Sequence, residues 1–339
     1  MTSRQRIQNI IARRPADRCG FWLGNPHPDT LPIYHAYFGT STLEDLHRKL
    51  GSDFRWITPQ FFDSVYQPPD GRGLFDIYKF KHSLGERGPL ADCESIEGIE
   101  QYSWPDIRYL HFEECLAALE GTADMYRASG FWAPFFHDVM DLFGVEEFMV
   151  KMHTTPAVVE AAFERVCGFY LEANALFYHK AGASIDACFF GNDFGTQREL
   201  MINPGHFDRF LLPWIARFAS QARESGYQVI LHSCGSVHRV IDRFIEAGIQ
   251  CLHPLQALAH NMNAEVLARD FGGRIAFLGG IDTQELLVHG SPQQIRDEVR
   301  RLADILGPHL IISPSHEALL PNVPPANIAA MAEAATALS

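Results

Sequence analysis

A chain in which short β-branched apolar runs keep alternating with long amphipathic stretches has few folds open to it, and the C-terminal half of this sequence is built that way. Parallel strands cannot be joined by tight turns and need a helix to carry the chain back, so the alternation signals βα units. The pattern predicts strands at Ile185–Phe190, Gln228–His232, Gln250–His253, Ile275–Gly279 and His309–Ser313. The stretches between them carry helix-start signals. Asn203 is placed to cap a helix with Pro204 at its first position and Gly226 past its end, and Pro213 inside that pattern predicts a kink or a break. Ser291-Pro292 opens another helix with Gln294 set for a capping box, and Thr155-Pro156 opens a third.

The N-terminal half has a less regular period. GFWLGNPHPDTLPIYHAYFG reads as a strand followed by a long ordered loop, and a second strand is expected around Phe54–Thr58. Trp56, Phe61 and Phe62 read as core packing rather than substrate contacts. With no repeat, low-complexity tract or linker, residues 1–339 are expected to form one domain. Strands recurring every twenty to thirty residues or so over this length fit eight βα units, a (β/α)₈ TIM barrel, better than an open sheet.

Composition narrows the function. A net charge of -13 and the absence of a basic stripe argue against nucleic acid as a partner. No apolar run has the length of a signal peptide or a membrane span, so a cytoplasmic protein is expected. The seven cysteines are scattered and odd in number, which does not suit a disulfide framework.

The chemistry is expected at the carboxyl ends of the strands, where barrel active sites form. In VILHSCGSV an apolar strand ends in His232 and Cys234 and turns at Gly235. Residues two apart on a strand share a face, so imidazole and thiol point together into the barrel mouth. Both are zinc ligands, and His316, just past the last strand in IISPSHEA, is the expected third, which leaves an open fourth position. GNDFGTQ presents Asn192, Asp193 and Gln197, and FLGGIDT presents Asp282. Asp193 is the candidate acid, base or substrate-orienting carboxylate; Asn192, Gln197 and Asp282 are candidate substrate contacts, although a helix cap is the competing role for Asp282. His253 in CLHPLQ reads as a packed loop residue, while Gln256 is expected to reach substrate, as are Asn25 and His27 in the N-terminal loop.

HSCGSV, HPLQ, FLGGIDTQELLVHGSPQQIRDEV and ISPSHEALLPNVPPANI together resemble the uroporphyrinogen decarboxylase superfamily, in particular its methyltransferase-like branch. The resemblance runs from about Gly182 onward and implies a (β/α)₈ barrel. The decarboxylases hold their polycarboxylate substrate with an arginine-rich RQAGRY segment; this chain has GNPHPDTLPIY there, which disfavours that substrate. The methyltransferases bind zinc through His-x-Cys, matched by His232 and Cys234, and a distant Cys in SPGC, where this chain has SPSH and His316. Imidazole in place of thiolate makes the site less electron-rich. The resemblance also implies a corrinoid protein docking over the barrel mouth. The sequence carries no Asp-x-His-x-x-Gly signature of corrinoid binding, so cobalamin is expected only on a partner. A homodimer is a further implication.

The reading is a zinc-dependent methyltransferase that moves a methyl group between a small molecule and a corrinoid protein or other carrier. One rival is a metal-independent decarboxylase or lyase of a smaller acid, using Asp193 and His316. The other is a catalytically silent barrel that assists a methyl-transfer system.

Overall fold

The computed structural model describes residues 1–75 and 86–338. Eight strands form one parallel sheet: β1 (Gly20–Phe21), β2 (Phe54–Trp56), β3 (Tyr126–Ser129), β4 (Ala187–Gly191), β5 (Gln228–His232), β6 (Cys251–His253), β7 (Ala276–Ile281) and β8 (Leu310–Pro314). Their order is β1-β8-β7-β6-β5-β4-β3-β2, with helices on the connections, which makes the sheet a (β/α)₈ barrel, nearly closed.

The remaining seam, between β1 and β2, is drawn together by Asp53. Its backbone N–H donates to the Phe21 carbonyl at 2.8 Å, and its carboxylate accepts the Phe21 N–H at 3.1 Å. The same buried carboxylate takes Arg6 at 2.7 Å and Arg18 at 2.8 Å.

The two-residue period of each strand sorts its side chains. Trp22, Phe54, Tyr126, Phe189, Ile230, Cys251, Leu278 and Ile311 fill the barrel interior, while Leu231, Leu252, Phe277 and Ile312 belong to the larger core under the helices. The end opposite the mouth is plugged by the helix Ser3–Ile11, whose Ile7, Ile10 and Ile11 join the interior cluster. Arg4 and Gln8 anchor it to Asp186 at 2.6 and 2.9 Å. Strand β1 begins with Gly20 because a Cβ there would stand 2.4 Å from the Ile7 side chain.

The five C-terminal strands lie where expected, with ends shifted by a residue or two. Asn203 accepts from the His206 N–H, and Ser291 and Gln294 form the reciprocal capping box. The break foreseen at Pro213 is a π-turn over Phe207–Leu211, after which an α-helix restarts with the proline in its first turn. A helix does start at Pro156, but Thr155 makes no side-chain cap bond. The long loop expected after β1 needs correction: it turns into a helix, Leu31–Phe38, ended by Gly39 in the left-handed region at φ 66°. Among the described residues no helix is long and apolar enough to cross a membrane.

Candidate functional site

The mouth of the barrel is organised around His232, the last residue of β5, which is buried and points inward. Its register partner on β4 is Gly191 and on β6 His253. Gly191 has no alternative, since a Cβ there would lie 2.6 Å from His232 Cβ and 2.5 Å from the Trp132 ring. That space lets Trp132 pack edge-on against the imidazole, with ring centroids 4.9 Å apart.

Each imidazole nitrogen has its own set of partners. On one side Nε2 lies 3.1 Å from Asp193 Oδ1 and 3.4 Å from Cys234 Sγ, and Asp193 Oδ1 also accepts the Cys234 N–H at 3.0 Å. Donor atoms of Asp193, His232 and Cys234 all lie within 4.8 Å of one another, the mutual spacing a single cation requires. On the other side Nδ1 lies 3.0 Å from His253 Nδ1 and 3.7 Å from Glu317 Oε2, and these three residues form a second such group.

The electrostatics follow from this packing. Burial opposes a charge on His232, but Glu317, Asp193 and Cys234 outweigh it and hold the imidazole protonated well above its ordinary range. His253 moves the other way, held neutral by complete burial and by the neighbouring His232 and His316. An imidazolium Nδ1–H therefore donates to a neutral His253. Burial also acts to raise Asp193, yet the bonds from His232 and the Cys234 N–H win and keep its carboxyl far below the usual range. Burial pushes the Cys234 thiol up, so without a cation it keeps its proton.

Measured against the expectations from sequence, His232 and Cys234 come together and Asp193 completes the group. His316 does not: its ring stands 6.4 Å from that of His232, its Nδ1 accepts the Ala318 N–H, and it belongs to neither ligand-spaced group. The side chain that follows it, Glu317, turns in instead, because its carbonyl is pinned by the Asn25 N–H at 2.8 Å. Two expected substrate contacts carry structural duties. Asn192 is buried with its amide bridging the Phe136 N–H and the Ala133 carbonyl, and Asp282 caps a turn by accepting the Glu285 and Leu286 N–H groups. Gln256 accepts the Gly235 N–H at 2.8 Å and meets Gln197 at 3.3 Å, so the pair braces the turn after Cys234. His27 is exposed beside Asp29, and Asn25 lines a recess outside the barrel.

Sequence reasoning missed Trp132 and Glu317 and took His253 for a loop residue. The signal for His253 was available, since it ends a strand two residues after the inward Cys251, just as His232 follows Ile230. Of the aromatics read as core, Trp56 is buried against Trp132 and Phe189, while Phe61 is half exposed.

A family model described as uroporphyrinogen decarboxylase matches residues 117–338. No curated protein matches. Among solved structures, a methyltransferase from Methanosarcina mazei aligns over 99% of this chain and 98% of its own, with a TM-score of 0.70 and 17% identity, a likeness of fold. A Listeria monocytogenes chain described as a vitamin-B12 independent methionine synthase aligns over 94% of this chain and 98% of its own, at 10% identity and a TM-score of 0.45, too low to carry weight.

Proposed function

The chain belongs to the uroporphyrinogen decarboxylase family, and on that footing we propose that it is a zinc-dependent methyltransferase moving a methyl group between a small molecule and a corrinoid protein or other carrier. The observation that carries this reading is the convergence of Asp193, His232 and Cys234 at the carboxyl end of β5. A sulfur, an imidazole nitrogen and a carboxylate oxygen are the donor types of three-ligand catalytic zinc sites, and the residues present fit that ion. The fold shared with the Methanosarcina mazei methyltransferase supports the same direction. His316, expected as the third ligand, becomes a partly exposed group beside Glu317, outside both ligand-spaced groups. Bound zinc would supply Lewis acidity, lowering the pKa of a substrate heteroatom and improving it as nucleophile or leaving group.

The chain's own residues do the rest. His253 and Glu317 hold the Nδ1 side of His232 and so aim Nε2 at the cation. Trp132, partly exposed and packed edge-on against His232, offers an apolar surface to a small aromatic, for instance methoxylated, substrate, with the buried Trp56 backing it. Asp193, ionised and half-exposed, is placed to orient substrate. Ile33, Tyr37, Phe61, Leu258 and Leu320 are exposed on connections that leave the carboxyl ends of β1, β2, β6 and β8, an apolar rim suited to a carrier protein that brings its own cobalamin.

The metal-free decarboxylase has one observation in its favour, the charged pair of Asp193 and His232 at 3.1 Å, which can hold a proton without a cation. Metal analysis of the purified protein separates the two readings. About one zinc per chain, lost together with methyl transfer in Cys234→Ala, is the result expected; metal-free protein with full turnover would sink the transferase.

A further inference from the structure

His232 has a second nitrogen that the zinc reading leaves without a metal. Its Nε2 faces Asp193 and Cys234, while Nδ1, on the other edge of the ring, faces His253 and Glu317. Donor atoms of His232, His253 and Glu317 also lie within 4.8 Å of one another. Nδ1 stands 3.0 Å from His253 Nδ1 and 3.7 Å from Glu317 Oε2. Zinc–nitrogen and zinc–oxygen bonds at tetrahedral angles put donor atoms about 3.3 Å apart, so these two separations straddle what one ion requires.

Protein hydrogen bonds alone leave this group incomplete. One shared proton serves the two nitrogens, but Glu317 Oε2 is buried with no hydrogen-bond partner among the described residues. At 3.7 Å it is too far to accept from Nδ1 of either His232 or His316. Two backbone contacts fix the residue that carries it: the Asn25 N–H holds the Glu317 carbonyl at 2.8 Å, and Gly24 makes room for that carbonyl, since a Cβ there would stand 2.5 Å from it. A cation needs no cavity here, because it replaces the proton between the nitrogens and is enclosed by atoms already gathered around that point. The way in is from the mouth, where the side chains of Glu317 and His316 are 17% and 41% exposed.

We propose that His232 Nδ1, His253 Nδ1 and Glu317 Oε2 bind a second divalent cation of the zinc type, and that His232 bridges it to the first as an imidazolate. Two nitrogens and a carboxylate oxygen suit zinc, but without a thiolate this ion is held more weakly than the first and fills when zinc is supplied. The N–H protons of His232 and the thiol proton of Cys234 pass to solvent. The negative charges then carried by Asp193, Cys234, Glu317 and the imidazolate offset two divalent cations, which leaves no uncompensated charge in a buried place. The bridge rests on the zinc reading above, whereas the second set of donors stands without it.

The probe is zinc itself. Crystals equilibrated with it are expected to give two anomalous peaks at the zinc edge, one beside Cys234 and one between His253 and Glu317. In solution cobalt(II) stands in for zinc: the first equivalent is expected to give a near-ultraviolet thiolate-to-metal band, and the second only the weaker visible absorption of a nitrogen–oxygen site. Glu317→Gln, which keeps the shape of a partly exposed side chain, is expected to remove the second peak and to weaken the second equivalent about tenfold or more while the thiolate band stays. Thermal unfolding checks that the variant folds, and the wild-type crystals carry the test where it does not. A single peak beside Cys234 at saturating zinc, or an unchanged second equivalent in folded Glu317→Gln, would overturn the second site and leave the zinc reading intact. A single peak between His253 and Glu317 would uphold the site and sink the Asp193–Cys234 reading together with the bridge, and no peak anywhere would overturn both.

Discussion

His232 carries more of this molecule than any other residue, because its two nitrogens face two different environments. The proton it holds on the Asp193–Cys234 side and the proton of the Cys234 thiol would both have to leave for the proposed zinc to bind. Both pKa values are raised, so proton competition weakens as pH rises, and zinc affinity is expected to be at least about tenfold tighter at pH 8 than at pH 6 in chelator competition. Asp193→Asn and His316→Ala divide the candidate third ligands. Zinc affinity should fall by about a hundredfold or more in the first and by less than about tenfold in the second, and the reverse order would return His316 to the metal. Gly191→Ala tests the packing behind the ligand. Its new Cβ would push into Trp132 and His232, so metal content should drop while far-UV circular dichroism stays unchanged.

At the level of elements, the N-terminal helix is the piece a barrel does not strictly need and this one uses. Ile7, Ile10 and Ile11 are buried at the closed end, so Ile10→Ala is expected to cost about 2–5 kcal/mol in urea unfolding without changing metal stoichiometry. Most of the secondary structure around it is local in origin and could be read in advance. Capping signals at Asn203 and Ser291 act over one turn, and the strand runs declare themselves by β-branched composition. The helix Leu31–Phe38 escaped because its aromatic, mixed sequence follows no clear apolar stripe and only Tyr34 is buried. Its boundary signals, Pro32 inside the start and Gly39 past the end, were nonetheless present.

At the level of the whole molecule, the two sheet edges meet at one buried carboxylate. Asp53→Ala would leave Arg6 and Arg18 without their shared partner and is expected to lower unfolding stability by about 3–5 kcal/mol, a loss that would be absent if the seam were held by strand pairing alone. The same closure explains how far sequence could go. The barrel class and the meeting of His232 with Cys234 follow from periods of two and of whole βα units, which are short-range and survive translation into one dimension. The identity of the third donor does not, because in a ring of strands the distance across the mouth depends on how each loop turns, not on separation along the chain. Asp193 reaches the site from the neighbouring strand, whereas His316 and Glu317, adjacent in sequence, point different ways once the Asn25 N–H has fixed the backbone between β8 and β1. Periodicity thus settled which strands carry the site, and packing settled which side chains enter it, since orientation at a loop is set by contacts that close only in the folded ring.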